Sequence, residues 1–367
     1  MKAKICIAAI VLSMAGNVDA WSQRRHVNIP DLPGYVTLKA DMHTHTIFSD
    51  GRLWPDARVE EAWKDGLDVI ALTDHSNYRS PVISKYLVCD DLNAAYDEAL
   101  DAARQLGMTL IKGSEVTLKG MGDFNVYFID DLNDVKVVDG DGARSLRIAK
   151  EKGAFIQWNH PLKKWSEKHE ALYQEGIFRA IEVYNYDKVY EHACKWADER
   201  DMFITCGSDT HNLTEVRQKE NHRPMTLIFA KENTPESIRE AMEDHRTAIY
   251  YADTLMGHMK HLAALFDAGV SIRCMPRVPG KKKCYIQIDN TTDINFTLDL
   301  VRQSPDVRLP KEIRFGANKT TQILMFDMKP DCVKTDPFLG VYRVKNCRTL
   351  SGKHLEIELR NNEINVL

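Results

Sequence analysis

From Tyr35 to Glu243 the chain alternates between two hydrophobic rhythms. Short apolar runs, often β-branched, predict strands over Tyr35–Met42, Asp68–Leu72, Thr109–Gly113, Phe124–Ile129, Ala154–Trp158, Ala180–Tyr184, Met202–Cys206 and Met225–Ala230. Between them, a helical period covers Asp56–Lys64, Asp90–Leu106, Gly142–Lys152, Lys188–Glu199 and Pro235–Glu243. Gly66, Gly107 and Gly153 stop the first three, and Thr234 stands where an N-cap belongs. Repeated strand–helix units imply a parallel sheet, and this many point to closure into a barrel.

Leu255–Ala268 then reads as an amphipathic helix, and past it the pattern changes. Cys284–Asp289, Ile294–Leu300, Lys311–Phe315, Thr321–Phe326, Gly340–Val344 and His354–Leu359 alternate or form β-branched runs, with Asn, Gly, Pro and Lys between. This predicts a small antiparallel β domain of sandwich type. The expected organisation is a barrel over 35–250, a connecting helix within 251–275 and the β domain over 276–367. Residues 21–34, with Pro30 and Pro33, read as an extended arm.

The N-terminus is expected to be removed. Lys2 and Lys4 precede an apolar core, Cys6–Ala15, and Val18-Asp19-Ala20 resembles a small-x-small cleavage site. The apolar run is too short to span a bilayer. Export to a periplasmic or extracellular space follows, with a mature start near Trp21 and no transmembrane segment. Seven cysteines then remain. Cys274, Cys284, Cys332 and Cys347 fall in the C-terminal third and allow two disulfides with three connectivities. No Cys-x-x-Cys pair occurs, which disfavours a thiolate zinc site. The chain has 367 residues and a net charge of -4, so no basic field holds a stable nucleic-acid complex. Nothing in the sequence fixes the oligomeric state.

The polar residues at the strand ends carry the chemistry. His43 and His45 sit two apart after the first strand, and i, i+2 side chains in an extended segment share a face. Asp50 follows in a turn closed by Gly51. His75, Glu115, His160, Asp209 and His211 lie at or just past the ends of later strands, the face on which barrel active sites are built. Imidazole and carboxylate ligands without thiolates suit zinc, iron or manganese. They are too many for one ion, so two or three divalent ions are expected.

The series HTHTIFSDG, TDH, KGSEVT, NHP and GSDTH resembles the PHP (polymerase and histidinol phosphatase) superfamily over roughly residues 35–250. The signal peptide and β tail narrow the likeness to secreted phosphodiesterases of the Sb-PDE type. The resemblance implies a distorted (β/α)7 TIM-like barrel and a metal-dependent phosphoesterase. It also implies a ligand set. His43, His45 and Asp209 would hold a first ion, Glu115 would bridge to a second completed by His160, and Asp50, His75 and His211 would hold a third. The chain departs from the family at Gly122-Asp123-Phe124-Asn125, where many relatives carry His in place of Asp123. Asp123 could ligate the second ion as a carboxylate.

Clustered divalent ions lower the pKa of bound water and clamp both oxygens of an in-line displacement. The expected reaction is hydrolysis of a small phosphodiester or monoester by a metal-bridged hydroxide, with His211 or a bound water protonating the leaving oxygen. Glu115 and Asp209 are catalytic in the sense of holding the ions. Arg52, Arg79 and Lys163 follow ligand motifs and could bind phosphate oxygens. Asn159 and Asn185 could touch substrate or orient ligands, and Asp74 reads as a support behind the ligands. Trp158 and Trp165, beside the His160 loop, read as wall-packing. The rival functions are hydrolysis of another bond, as in amidohydrolases, or an impaired metal-binding protein whose β domain holds a glycan or partner.

Overall fold

The computed structural model describes residues 24–137, 140–214, 221–276, 278–328, 338–360 and 363–366. The signal-peptide reading and Cys332 lie outside them. In the barrel, strands β1 (Val36–Asp41), β2 (Val69–Leu72) and β3 (Thr109–Leu118) pair in parallel. Helices α1 (Pro55–Lys64) and α2 (Ala94–Leu106) cross between them, and Gly107 ends α2 in the left-handed conformation. Strand β4 (Gly122–Tyr127) is followed by α3 (Gly142–Glu151), β5 (Phe155–Trp158), α4 (Glu167–Gln174) and β6 (Ala180–Asn185). The short β7 (Lys188–Val189), α5 (Glu191–Arg200), β8 (Phe203–Gly207), β9 (Met225–Ala230) and α6 (Pro235–Glu243) complete the series.

The all-parallel expectation needs correction. β4 runs antiparallel to both β3 and β5, and β9 antiparallel to β1. β3 and β4 are joined by a tight turn with Gly120 and Gly122 at positive φ, a hairpin that needs no crossover helix. The third strand therefore runs on to Leu118, and Glu115 lies inside it, opposite Asn125. Because β4 runs in reverse, its first residues, including Asp123, reach the same end as the last residues of β2.

Among the described residues no ladder joins β8 to β9, and side-chain hydroxyls close that seam. Thr226 Oγ1 donates to the Cys206 carbonyl and accepts from the Cys206 N–H, both at 2.8 Å. One strand further, Thr247 Oγ1 donates to the Ile204 carbonyl at 3.0 Å. Thr247 opens β10 (Thr247–Tyr251), which hairpins into β11 (Thr254–Gly257). The predicted helix Leu255–Ala268 is thus split: its first residues are strand, and α7 covers Met259–Gly269. Paired to β10, Leu255 and Met256 bury completely as strand residues.

The β domain is a two-sheet sandwich. β12 (Val270–Cys274), β13 (Lys283–Asn290), β15 (Val307–Arg308) and β17 (Lys319–Asp327) form one sheet. β14 (Phe296–Gln303), β16 (Glu312–Phe315), β18 (Phe338–Arg348), β19 (His354–Arg360) and β20 (Glu363–Val366) form the other. This second sheet is continuous with the barrel, because β18 pairs in parallel with β11. Cys347 is a buried thiol, while Cys274 and Cys284 direct Sγ at the Arg360 and Met275 carbonyls.

Thr226→Val removes the hydroxyl and leaves a buried N–H and carbonyl of Cys206 unpaired. It should destabilise the protein by about 1–3 kcal/mol, read from the midpoint shift of urea unfolding.

Candidate metal centre

The sequence brings imidazoles to one end of the barrel because each histidine motif immediately follows a strand, while Glu115 stands within β3. His43 and His45 leave β1, and an isolated parallel bridge pairs Thr44 with Thr210. A second bridge pairs His75 with Glu115. His160 (φ 23°) and Asp209 (φ 49°) both occupy positive φ, which non-glycine residues seldom adopt. Such backbone strain is characteristic of functional positions. Two glycines admit the crowding. A Cβ on Gly51 would lie 2.6 Å from the His45 carbonyl, and one on Gly207 would collide with His43 Cβ and Glu182 Oε1.

Glu115 is the buried hub. Its Oε1 lies 3.4 Å from His43 Nε2 and 3.5 Å from His160 Nε2, and its Oε2 lies 3.3 Å from both His45 Nε2 and His75 Nδ1. Asp209 Oδ1 is 3.2 Å from His45 Nε2 and 3.6 Å from His43 Nε2. Asp50 reaches His211 Nε2 at 3.2 Å, His45 Nδ1 at 3.7 Å and His75 Nε2 at 3.9 Å. Three donor groups result: His43, His45 and Asp209; His43, Glu115 and His160; and His45, Asp50, His75 and His211, each with ligand atoms within 4.8 Å of one another. Asp123 Oδ2 stands 3.9 Å from His160 Nε2, at the edge of the second group.

The donor chemistry fits divalent ions. Burial disfavours charge on His43 and His45, but Glu115 and Asp209 outweigh it and raise both rings, His45 to about 10. His160 is half-buried; desolvation opposes its charge too, but it is raised to about 9, chiefly by Glu115. Burial opposes ionisation of Glu115 and Asp209 as well, yet the surrounding imidazoles hold both carboxyls below their usual range. The conflict lies in the facing Nε2 atoms of His43 and His45, 3.2 Å apart, which leave room for one proton between them. His75 goes the other way, since burial lowers it, and its Nδ1 is buried without a hydrogen-bond partner. Cations that displaced these protons would resolve both features, taking the crowded imidazole nitrogens and the His75 ring as ligands.

A supporting layer fixes the ring orientations; the sequence pointed to Asp74, Asn159 and Asn185 in it but not to Glu182, Gln157 or Asp41. Glu182, fully buried in β6, directs Oε1 at His43 Nδ1 (3.3 Å), while its Oε2 accepts from the His160 N–H at 2.8 Å and from Asn185 Nδ2 at 3.0 Å. The one available signal was a carboxylate inside an apolar strand run. Asn159 Nδ2 donates to Glu115 Oε1 at 2.7 Å, and Gln157 Nε2 donates to Asn159 Oδ1 at 3.0 Å. Asn159 and Asn185 are both buried and face ligands or their supports. Asp74 accepts from the Thr46 N–H and hydroxyl and from Ser49 Oγ. Asp41 accepts from the Ser208 N–H and hydroxyl, and is paired with the buried Arg223 at 3.1 Å. Arg52 and Lys163 are exposed on the rim and Arg79 is half-buried there. Trp158 is fully buried against Trp196 and His169.

A TIM-like barrel whose strand ends gather overlapping imidazole and carboxylate groups defines the class: a barrel protein with a candidate multinuclear metal centre. The model of the PHP domain matches residues 41–273, and the chain belongs to that family. An Ig-like domain model matches residues 271–360. The chain is 31% identical to a solved Bacteroides vulgatus structure, described as a two-domain protein containing a predicted PHP-like metal-dependent phosphoesterase. That match has a TM-score of 0.82 and covers 94% of this chain and 98% of the other. Shorter likenesses join it to a 5'-3' exoribonuclease of Haemophilus influenzae (36% identity over 87 residues) and an error-prone DNA polymerase of Nocardia farcinica (30% over 114). These cover 24% and 28% of this chain, and only 26% and 8% of those proteins.

Two outcomes follow from this geometry. Metal uptake by the metal-free protein at pH 7 should release about two protons, one from the His43–His45 pair and one from His160. Because these rings hold protons up to pH about 9–10, apparent metal affinity should rise with pH across the neutral range. Titration in weak buffer with a pH indicator measures the release. Glu182→Gln keeps the shape but removes the carboxylate behind His43, and should weaken metal binding about 10–100-fold by competition with a chromogenic chelator.

Proposed function

We propose that this protein is an exported metal-dependent phosphoesterase that hydrolyses small phosphodiesters, and monoesters less well. The observation that carries the reading is the overlap of the three donor groups through His43 and His45, with Glu115 facing four imidazoles. Bound divalent ions supply a nucleophile near neutral pH and neutralise the charge of a phosphate ester. Zinc, iron or manganese suits the donor set.

The chain's own residues do the positioning. Glu115 and Asp209 stay ionised, and Asn159 and Glu182 hold Glu115 and His43 in register. His211 donates from Nδ1 to the Asp209 carbonyl at 2.9 Å, which turns Nε2 toward Asp50 and the cup. That nitrogen can hold an ion or, where no ion takes it, pass a proton to a leaving oxygen, but not both; with His211 as a ligand a bound water supplies the proton. Arg52, Arg79 and Lys163 stand on the surrounding loops, where a guanidinium or ammonium meets phosphoryl oxygens. Export rests on residues 1–20, read as a signal peptide. No helix of the described residues is long and apolar enough to cross a membrane.

Metal content should be measured for the wild type and Glu115→Ala, with activity on panels of soluble phosphodiesters and phosphomonoesters. The wild type should hold at least two ions per chain and favour diesters. Glu115→Ala should keep its far-UV circular dichroism, lose ions, and lose on the order of 10²-fold or more in rate. No turnover of any phosphorus ester with manganese, zinc or iron supplied would refute the reading.

A further inference from the structure

The barrel's exposed large apolar side chains are not scattered. Trp54 stands at the end of the β1–α1 loop. Tyr78, Val82, Tyr86 and Val88 all belong to the single loop between β2 and α2. Leu162 follows His160, and Leu213 follows His211. Every one of them is carried by a loop that leaves a strand at the metal end. Among the described residues, the barrel helices and the loops of the opposite end carry none. Tyr86 and Val88 are each 87% exposed and Val82 67%, exposures at which single apolar residues are unremarkable but a group on one face is not.

These loops are tied to the cup. The Ser80 N–H donates to the Ser49 carbonyl at 2.9 Å, and the Tyr78 ring stands edge-on to the His75 ring with centroids 5.6 Å apart. The Arg52 N–H donates to the His211 carbonyl at 2.8 Å. The same loops carry cations between the apolar residues. Arg52, Lys85, Lys163 and Lys164 are exposed, and Arg79 is half-buried.

We propose that this rim is a lipid-docking surface, so that the substrate is a phosphodiester amphiphile presented by an anionic phospholipid bilayer. The proposal rests on the phosphoesterase reading above. A small soluble substrate would cover one wall of the cup, whereas a bilayer meets side chains on four separate loops at once. Aromatic and aliphatic side chains interleaved with Lys and Arg match the interfacial zone of such a membrane, where rings sit at headgroup depth and cations meet lipid phosphates. In the reaction, water oxygen bonds to phosphorus and one phosphorus–oxygen ester bond breaks. The departing oxygen takes a proton, giving an alcohol and a phosphomonoester.

The test uses vesicles of roughly three parts phosphatidylcholine to one part phosphatidylglycerol and the double variant Tyr86→Ser/Val88→Ser, which touches no candidate ligand. The wild type should sediment with the vesicles and hydrolyse their phosphatidylglycerol, followed by ³¹P NMR. The variant should lose on the order of tenfold in vesicle binding, with a parallel fall in lipid hydrolysis. Its rate on soluble bis(4-nitrophenyl) phosphate should stay within about twofold of wild type, because the metal groups are unaltered. A wild type that does not sediment, or a variant that sediments equally, would overturn the proposal. So would a concentration-dependent dimer broken by the variant in analytical ultracentrifugation, which would make a second copy the occupant. Variant-sensitive vesicle binding by a wild type inactive on every diester would uphold the docking surface while refuting the hydrolase reading.

Discussion

Burial of the Glu115 carboxylate is the constraint around which the metal end of the barrel is built. The side chain is almost wholly buried, and a buried carboxylate costs several kcal/mol unless it is paired and hydrogen-bonded. Its partners are His43 and His45 from the segment after β1, His75 after β2, and His160 and Asn159 after β5. None is its neighbour in sequence. The site can form only if distant strands end at one height, and barrel geometry supplies that. Conversely, losing any partner leaves charge or a ring nitrogen stranded in an enclosed cup. Fold and site are therefore coupled: the strands position the ligands, and ligand pairing rewards that strand arrangement.

The departures from a regular parallel barrel serve the same end. A parallel β4 would begin at the far end of the barrel, and Asp123 would lie there with it. The hairpin turns it round, with Asp123 opposite Thr117 and within reach of His160. A different problem lies at β8, which among the described residues has no ladder partner on the β9 side. Thr226 and Thr247 supply hydroxyls to the otherwise unpaired Cys206 and Ile204 groups. A threonine bridging two strands satisfies buried backbone as a ladder bond would, without fixing strand direction.

How much of this was legible follows from where each signal lives. The ligands were legible because His-x-His, Thr-Asp-His and Ser-Asp-x-His interrupt apolar runs at their ends, where polarity stands out. Met225–Ala230 and Pro235–Glu243 were placed to the residue, since a continuous apolar run and a capped, Pro-initiated helix carry unambiguous local cues. Glu182 was not found, because one acid in a buried strand looks like a period-two surface position until its partners are known. Asp41 was hidden for the same reason: its partners, Ser208 and Arg223, lie far along the chain. β10 and β11 were missed because their apolar residues lead into α7, and local pattern cannot separate a short strand from the first turns of a helix. Pairing decided it, and pairing is not local.

The Ig-like domain belongs to this same network of dependence. Its sheet continues the barrel sheet through β11 and β18, with Leu255 in register with Cys347. Leu262, Leu265 and Phe266 of α7 share one hydrophobic core with Phe296, Ile313 and Phe315 of the sandwich, and the rings of Phe266 and Phe296 lie 5.3 Å apart. Arg348 reaches back to Glu191 at the start of α5, 2.7 Å away. A ladder, a common core and an ion pair across one junction mean that separating the domains would expose apolar surface from both. Their relative orientation is therefore set by burial. The β10–β11 hairpin that carries the junction also holds the barrel seam through Thr247, so the sandwich supports the closure on which convergence at Glu115 depends.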